Sequence, residues 1–204
     1  MSYFKTIEQI LEEVGEDKHQ NLSTTSLKFK KDIWEFFESF SESNQLNAIE
    51  FGTHKGQTTR LLSFIFKKVW SINLPNHFAE AEQLNKDRDN IQFVPFDLYQ
   101  TDLDENFKHS PSNVFLIDAG HSFDNVISDF SRTLNLKTNP DFPIFYIFDD
   151  YGLIRDVHNA IEQLIRIGKL EKVCYIGHEP NHVFQEHPPK ILNDYEGIIC
   201  KLKK

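Results

Sequence analysis

The chain has 204 residues, 39% apolar and 26% charged, with a formal net charge of −9. That length fits one domain with its own core, and no apolar run reaches the roughly 18 residues of a membrane span. The acidic balance argues against a broad nucleic-acid surface, which needs a basic face, and two cysteines cannot form a disulfide framework. Residues 1–45 read as helical. Ile7, Ile10, Leu11 and Val14 fall at helical spacing, and Gly15 is placed to end that helix. Lys18–Ser26 is polar and reads as a loop. Ile33, Phe36, Phe37 and Phe40 mark a second amphipathic helix. Glu8, Glu12, Glu13 and Glu16 speak against a secretory signal in this stretch. The expected compartment is a reducing cytoplasm, where the Asn21-Leu22-Ser23 sequon carries no meaning.

From Leu46 strand and helix patterns alternate. Leu46–Phe51, Val69–Leu74, Ile91–Phe96, Val114–Ile117 and Ile144–Phe148 are short apolar runs that read as strands. Thr58–Phe66 and Phe78–Lys86 read as helices between them. Phe123, Val126, Ile127, Phe130 and Leu134 form a further helical stripe, and Val157, Ile161, Leu164 and Ile165 another, which Gly168 can cap. Lys172–Ile176 and Gly197–Leu202 close the chain as strands, expected as an antiparallel pair. This order predicts an α/β fold with a mostly parallel sheet covered on both faces. The expected division is an N-terminal helical extension over residues 1–45, serving as a lid or a homodimer contact, and a main domain over residues 46–204; the Phe stripe of residues 33–40 reads as core, lid or dimer contact rather than a cofactor box.

In open α/β sheets ligands bind beyond the carboxyl ends of the strands. Those ends carry Glu50-Phe51-Gly52-Thr53-His54-Lys55-Gly56, then Asn73, Asp97, Asp118 and Asp149-Asp150. The first loop lacks the spacing of a dinucleotide site and of a phosphate loop. Its two glycines allow close backbone approach to a ligand, or serve an ordinary strand-to-helix turn.

Residues 46–202 resemble a class I S-adenosylmethionine-dependent methyltransferase, and the Glu50-x-Gly52-x-x-x-Gly56 loop resembles that family's first motif. The resemblance implies a Rossmann-like, seven-stranded sheet and S-adenosylmethionine as cofactor. It places Gly52, Thr53 and Gly56 against the cofactor, with Glu50 supporting its amino-acid end. Asn73 falls where the family has an acidic residue on the ribose hydroxyls, so the charge-assisted bond is lost. Asp97 falls at the adenine contact, and Asp118 borders the same site. Phe115 to Phe123 and Tyr146 to Gly152 resemble two motifs of the metal-dependent, macrocin-type small-molecule O-methyltransferases. The Gly-Gly of that branch is replaced by Asn139-Pro140-Asp141-Phe142-Pro143.

If the strands ending at Asp118 and Asp149 are neighbours, their tips lie roughly 5 Å apart. Asp118, Asp149 and Asp150 then repel each other, and a divalent cation relieves that repulsion. Oxygen ligands suit Mg²⁺, Mn²⁺ or Ca²⁺. Otherwise Asp118 and Asp150 are helix caps and Asp149 a solvated turn residue. His121, with an ordinary histidine pKa of about 6.5, suits a general base or is a surface residue. The reaction implied is methyl transfer to a hydroxyl of a small molecule, with no nucleic acid and no membrane as partner. A metal-independent methyltransferase and a non-catalytic binding protein on the same fold remain alternatives.

His178-Glu179-Pro180-Asn181-His182 has the spacing of a zinc-protease motif, but Pro180 opposes the helix that motif requires. Asp102-Leu103-Asp104-Glu105 starts like a calcium loop but lacks its glycine. Cys174 and Cys200 read as buried thiols.

Overall fold

Short apolar strands that alternate with amphipathic helices assemble into one seven-stranded sheet of order β3-β2-β1-β4-β5-β7-β6. The computed structural model describes residues 6–14, 24–100, 107, 109–178 and 195–203. The strands are β1 Asn47–Phe51, β2 Lys68–Asn73, β3 Ile91–Pro95, β4 Val114–Ile117, β5 Phe145–Phe148, β6 Leu170–His178 and β7 Tyr195–Leu202. The helices are α1 Ile7–Val14, α2 Leu27–Glu38, α3 Gln57–Ile65, α4 Ala79–Leu84, α5 Phe123–Thr133 and α6 Arg155–Arg166. All strand pairs are parallel except those of β7, which runs antiparallel to β5 and β6.

Successive side chains of a strand point to opposite faces, and the two faces carry two cores. Phe51, Trp70, Ile72, Phe115, Ile117 and Phe148 pack with α5 and α6. Ala48, Val69, Val114, Leu116, Phe145 and Ile147 pack on the other side with α1, α2 and α3. β4 and β5 are buried along their whole length, which is why they read as continuous apolar runs. Ser26 and Ser122 cap α2 and α5 by accepting from the N–H groups of Phe29 and Asn125, at 2.9 and 3.2 Å.

The segment expected as an extension is a layer of this core. Ile10, Val14, Phe29, Ile33 and Phe37 are buried in the second cluster. Phe37 meets the Phe66 and Phe145 rings edge-on at 4.8 and 5.6 Å. Gly197 sits opposite α2, where an added Cβ would lie 2.4 Å from a ring carbon of Phe29. Asp32 accepts from the Gly177 N–H at 2.8 Å, and Glu196 accepts from the Ser26 N–H at 3.0 Å. The apolar face of α2 packs against the sheet.

Arg60 of α3 gathers the same side of the molecule. It donates to both Asp87 oxygens at 2.8 and 3.0 Å and to Glu13 of α1 at 2.9 Å. The guanidinium holds the Asp87 carboxyl down at about 2. Replacing Arg60 by Met should lower unfolding stability by about 1–2 kcal/mol, less than for a fully buried pair because both carboxylates stay near water. Urea denaturation checks this, and an unchanged midpoint would show the network to be inert.

Among the described residues, no helix is long and apolar enough to cross a membrane. The Asn21-Leu22-Ser23, Asp102–Glu105 and Glu179–His182 segments, and Gly15, lie outside the described residues. Cys200 is buried and Cys174 half-buried; desolvation pushes the Cys200 thiol up to about 12.

Candidate functional site

Strand order reverses between β1 and β4, and open α/β sheets bind ligands at such a point. There the first loop leaves β1 through Gly52, whose φ is 96°. An added Cβ would lie 1.9 Å from the Asp118 carbonyl oxygen, so only glycine lets the loop pass the end of β4. Gly56, with a φ of 80°, is the N-cap of α3. Its added Cβ would meet Ala81 at 2.8 Å and Asn85 at 2.7 Å. Gly56 is therefore a helix-packing glycine.

Beneath the loop Glu50 is wholly buried. Ser71 and Thr59 hydroxyls donate to its Oε2, and Thr53 Oγ1 lies 2.6 Å from Ser71 Oγ. Burial pushes the Glu50 carboxyl up to about 8; the two hydroxyl bonds oppose this, and the Asp118 charge adds to it. Glu50 Oε1 has no hydrogen-bond partner among the described residues. A buried acceptor left without a donor is costly and rare.

A cavity of about 670 Å³ opens over the ends of β1 to β4. Small-molecule and cofactor sites span roughly 300–1,000 Å³. Gly52, Asn73, Phe96, Tyr99, Asp118 and His121 are among its walls. The Asn73 Oδ1 accepts from the Leu74 N–H at 2.9 Å, which leaves the amide nitrogen to offer a ligand.

Two residues of the cavity wall, Asp118 and His121, converge with Asp150. Ile117 and Phe148 are paired in register, so the residues that follow them leave the sheet side by side. His121 Nε2 lies 3.6 Å from Asp118 Oδ1 and 3.4 Å from Asp150 Oδ2. One ligand atom from each of Asp118, His121 and Asp150 falls within 4.8 Å of the others. Asp150 has a φ of 58°, a left-handed conformation that costs a non-glycine residue about 1–2 kcal/mol. Asp149, the preceding residue, is buried and stands outside the group of three.

No protein-family model matches the chain, and no curated protein matches it. Solved structures do. An O-methyltransferase from Bacillus cereus in complex with SAH is 15% identical and covers 97% of this chain and 90% of its own, with a TM-score of 0.65. The N-methyltransferase NodS from Bradyrhizobium japonicum, also with SAH, is 13% identical and covers 97% of both chains at a TM-score of 0.59. An rRNA methylase from Streptococcus thermophilus is 11% identical, covers 84% of this chain and 94% of its own, and scores 0.56. The fold is that of the class I S-adenosylmethionine-dependent methyltransferases.

Within this methyltransferase fold, Gly52, Asn73 and Asp118 line the cavity, as does His121. Glu50 and Thr53 lie beneath its floor. Asp97 points its Oδ1 at the Tyr99 N–H, 2.9 Å away, and so shapes the loop that carries Tyr99. Of the expected Asp118, Asp149 and Asp150, the structure groups Asp118 and Asp150 with His121 within 4.8 Å, while Asp149 is buried next to Asp150 in the chain. Tyr99 and His77 also line the cavity and were not singled out from the sequence. The signal that could have found Tyr99 is its place two residues beyond a strand-end aspartate.

Proposed function

We propose that the protein transfers a methyl group from S-adenosylmethionine to a hydroxyl of a small molecule, assisted by a divalent cation. The observation that carries this is one cavity at the switch point with a two-carboxylate, one-imidazole group at its rim. The residues present fit the cofactor. Gly52 admits close approach, the orphaned Glu50 Oε1 can accept from an amino group, and Asn73 can donate to a ribose hydroxyl. Bound there, the cofactor supplies an electrophilic methyl on a sulfonium and the cation supplies Lewis acidity.

The chain's own residues do the rest. Asp118 and Asp150 offer carboxylate oxygens and His121 offers Nε2, which only a neutral imidazole can do, so cation affinity should fall as pH drops. Carboxylates suit Mg²⁺ and Mn²⁺, and the imidazole nitrogen shifts the preference toward Mn²⁺ and later ions. The acceptor hydroxyl, placed at these side chains, loses its proton to solvent while His121 is a ligand. Aligning it with the cofactor supplies much of the rate. In the metal-independent alternative His121 is the base, oriented by the two carboxylates 3.4 and 3.6 Å away. The expected location is cytoplasmic, and neither nucleic acid nor membrane is an expected partner.

Calorimetry with S-adenosylhomocysteine tests the first half of this reading, and turnover against small hydroxyl compounds with and without EDTA tests the second. Activity that survives EDTA selects the metal-independent reading; no cofactor binding at millimolar ligand defeats both. Asn73→Asp should tighten cofactor binding by up to about tenfold, the worth of a charge-assisted bond. Weaker binding would show that the amide donor is the better partner.

A further inference from the structure

One buried acid lies outside every role given above. Asp129 sits on the inner face of α5 with no exposed surface. Its Oδ2 accepts from the Tyr99 hydroxyl at 3.2 Å, and its Oδ1 has no hydrogen-bond partner among the described residues. Desolvation pushes its carboxyl up to about 7, against the Tyr99 bond and the Arg132 charge. A buried carboxyl with one idle oxygen lowers stability, so its place in the fold needs another reason.

Tyr99 supplies that reason. Its backbone N–H is held by Asp97 at 2.9 Å and its hydroxyl by Asp129. The Gly120 N–H also faces the hydroxyl. At Gly120 an added Cβ would stand 2.3 Å from the hydroxyl oxygen, so a side chain there would evict it. Held at both ends, the ring is nevertheless 44% exposed and forms part of the cavity wall. Gly120 belongs to the same loop as Asp118 and His121. One phenol thus joins the loop after β3 to the loop after β4, the two sides of the cavity.

We propose that Asp129 is a positioning residue for the cofactor cavity, acting through Tyr99: its carboxyl fixes the Tyr99 hydroxyl, and the hydroxyl fixes the wall between the two loops. This rests on the cofactor reading above for its ligand, not for its geometry. Asp129 touches neither the cavity nor the group at its rim; its effect passes entirely through the phenol.

The test compares Asp129→Ala, Asp129→Asn, Tyr99→Phe and the Asp129→Ala/Tyr99→Phe double variant in the full chain. Affinity for S-adenosylhomocysteine and melting temperature are measured on each. Asp129→Ala and Tyr99→Phe should each weaken binding by about tenfold, the loss expected for one hydrogen bond. The double variant should bind no more weakly than either single one, because both remove the same link. Asp129→Asn keeps an acceptor oxygen and should stay within about threefold of the wild type. Melting temperature should hold or rise in Asp129→Ala, since a poorly satisfied buried acid is gone. Additive losses in the double variant, or unchanged affinity in both single variants, would overturn the proposal. A wild type that binds no S-adenosylhomocysteine defeats the cofactor reading instead. The link is then read in the ligand-free protein from the ¹³Cζ resonance of Tyr99, which should move in Asp129→Ala and hardly at all in Asp129→Asn. A resonance that ignores Asp129→Ala overturns the link itself.

Discussion

Asp150→Asn should weaken divalent-cation binding by on the order of a hundredfold or more, while Asp149→Asn should leave it within about twofold. Losing even an outer partner of a ligand costs roughly 10–100-fold, and loss of a charged ligand costs at least as much. The distinction rests on which carboxylate joins Asp118 and His121 within 4.8 Å, and that is Asp150. His121→Ala should behave like Asp150→Asn. Stability gives an independent reading. Asp150 holds a φ of 58°, which costs it about 1–2 kcal/mol, while glycine at the same place costs about 0.5–1 kcal/mol in chain entropy. Asp150→Gly should therefore fold as well as the wild type, or slightly better, and bind no cation. Mn²⁺ titration and thermal melting on the same four variants decide the matter. If Asp149→Asn abolishes binding and Asp150→Asn does not, the centre is drawn on the wrong carboxylate.

Glu50→Gln should stabilise the protein at pH 8.5 by roughly 4 kcal/mol and do much less at pH 5. The folded protein holds the Glu50 proton up to about pH 8, whereas the carboxyl ordinarily releases it near 4.5. Between those values the folded state binds a proton that the unfolded state lacks, so the wild type loses stability as pH rises through the window. Below 4.5 both states are protonated and the difference vanishes. Glutamine cannot ionise, and it keeps an acceptor for the Ser71 and Thr59 hydroxyls. Asp129, raised to about 7, contributes a loss of the same sign, so the slope should shrink in Glu50→Gln and not disappear. Urea unfolding at several pH values checks this. Parallel wild-type and mutant profiles would show that Glu50 ionises in the folded protein as it does in the unfolded one.

Much of the architecture was legible because burial on both faces leaves a strong mark on short strands. Val114–Ile117 is four apolar residues in a row and is β4 to the residue; Ile144–Phe148 overruns β5 by one. The antiparallel closing pair was legible from its place after the last helix. Helix partners were not. The stripe Ile33, Phe36, Phe37 says that α2 has an apolar face, but periodicity cannot say whether a sheet, a substrate or a second chain covers it. Here the sheet does.

The site divides along the same line. Gly52 and Asp118 were readable because a strand end fixes where the next residue goes. Asp149 and Asp150 are adjacent, and no spacing records that Asp150 has a left-handed φ and is the one grouped with Asp118 and His121. The close packing of Gly56 against Ala81 of α4 and Asn85 left no mark in the loop's spacing. The Tyr99–Asp129 bond joins residues 30 apart, and neither the tyrosine nor a mid-helix aspartate announces the other.

The order of the sheet also sets an order of assembly. β7 lies between β5 and β6 although it follows both in the chain. While the chain emerges from the ribosome, the edge of Phe145–Phe148 that faces away from β4 stays open until residues 195–202 arrive. Among the described residues β6 pairs with β7 alone, so it joins the sheet through β7. A nascent or clipped chain that stops short of β7 thus presents a bare edge of the kind that recruits other strands. A chaperone that holds this protein before β7 is made would need to cover that edge.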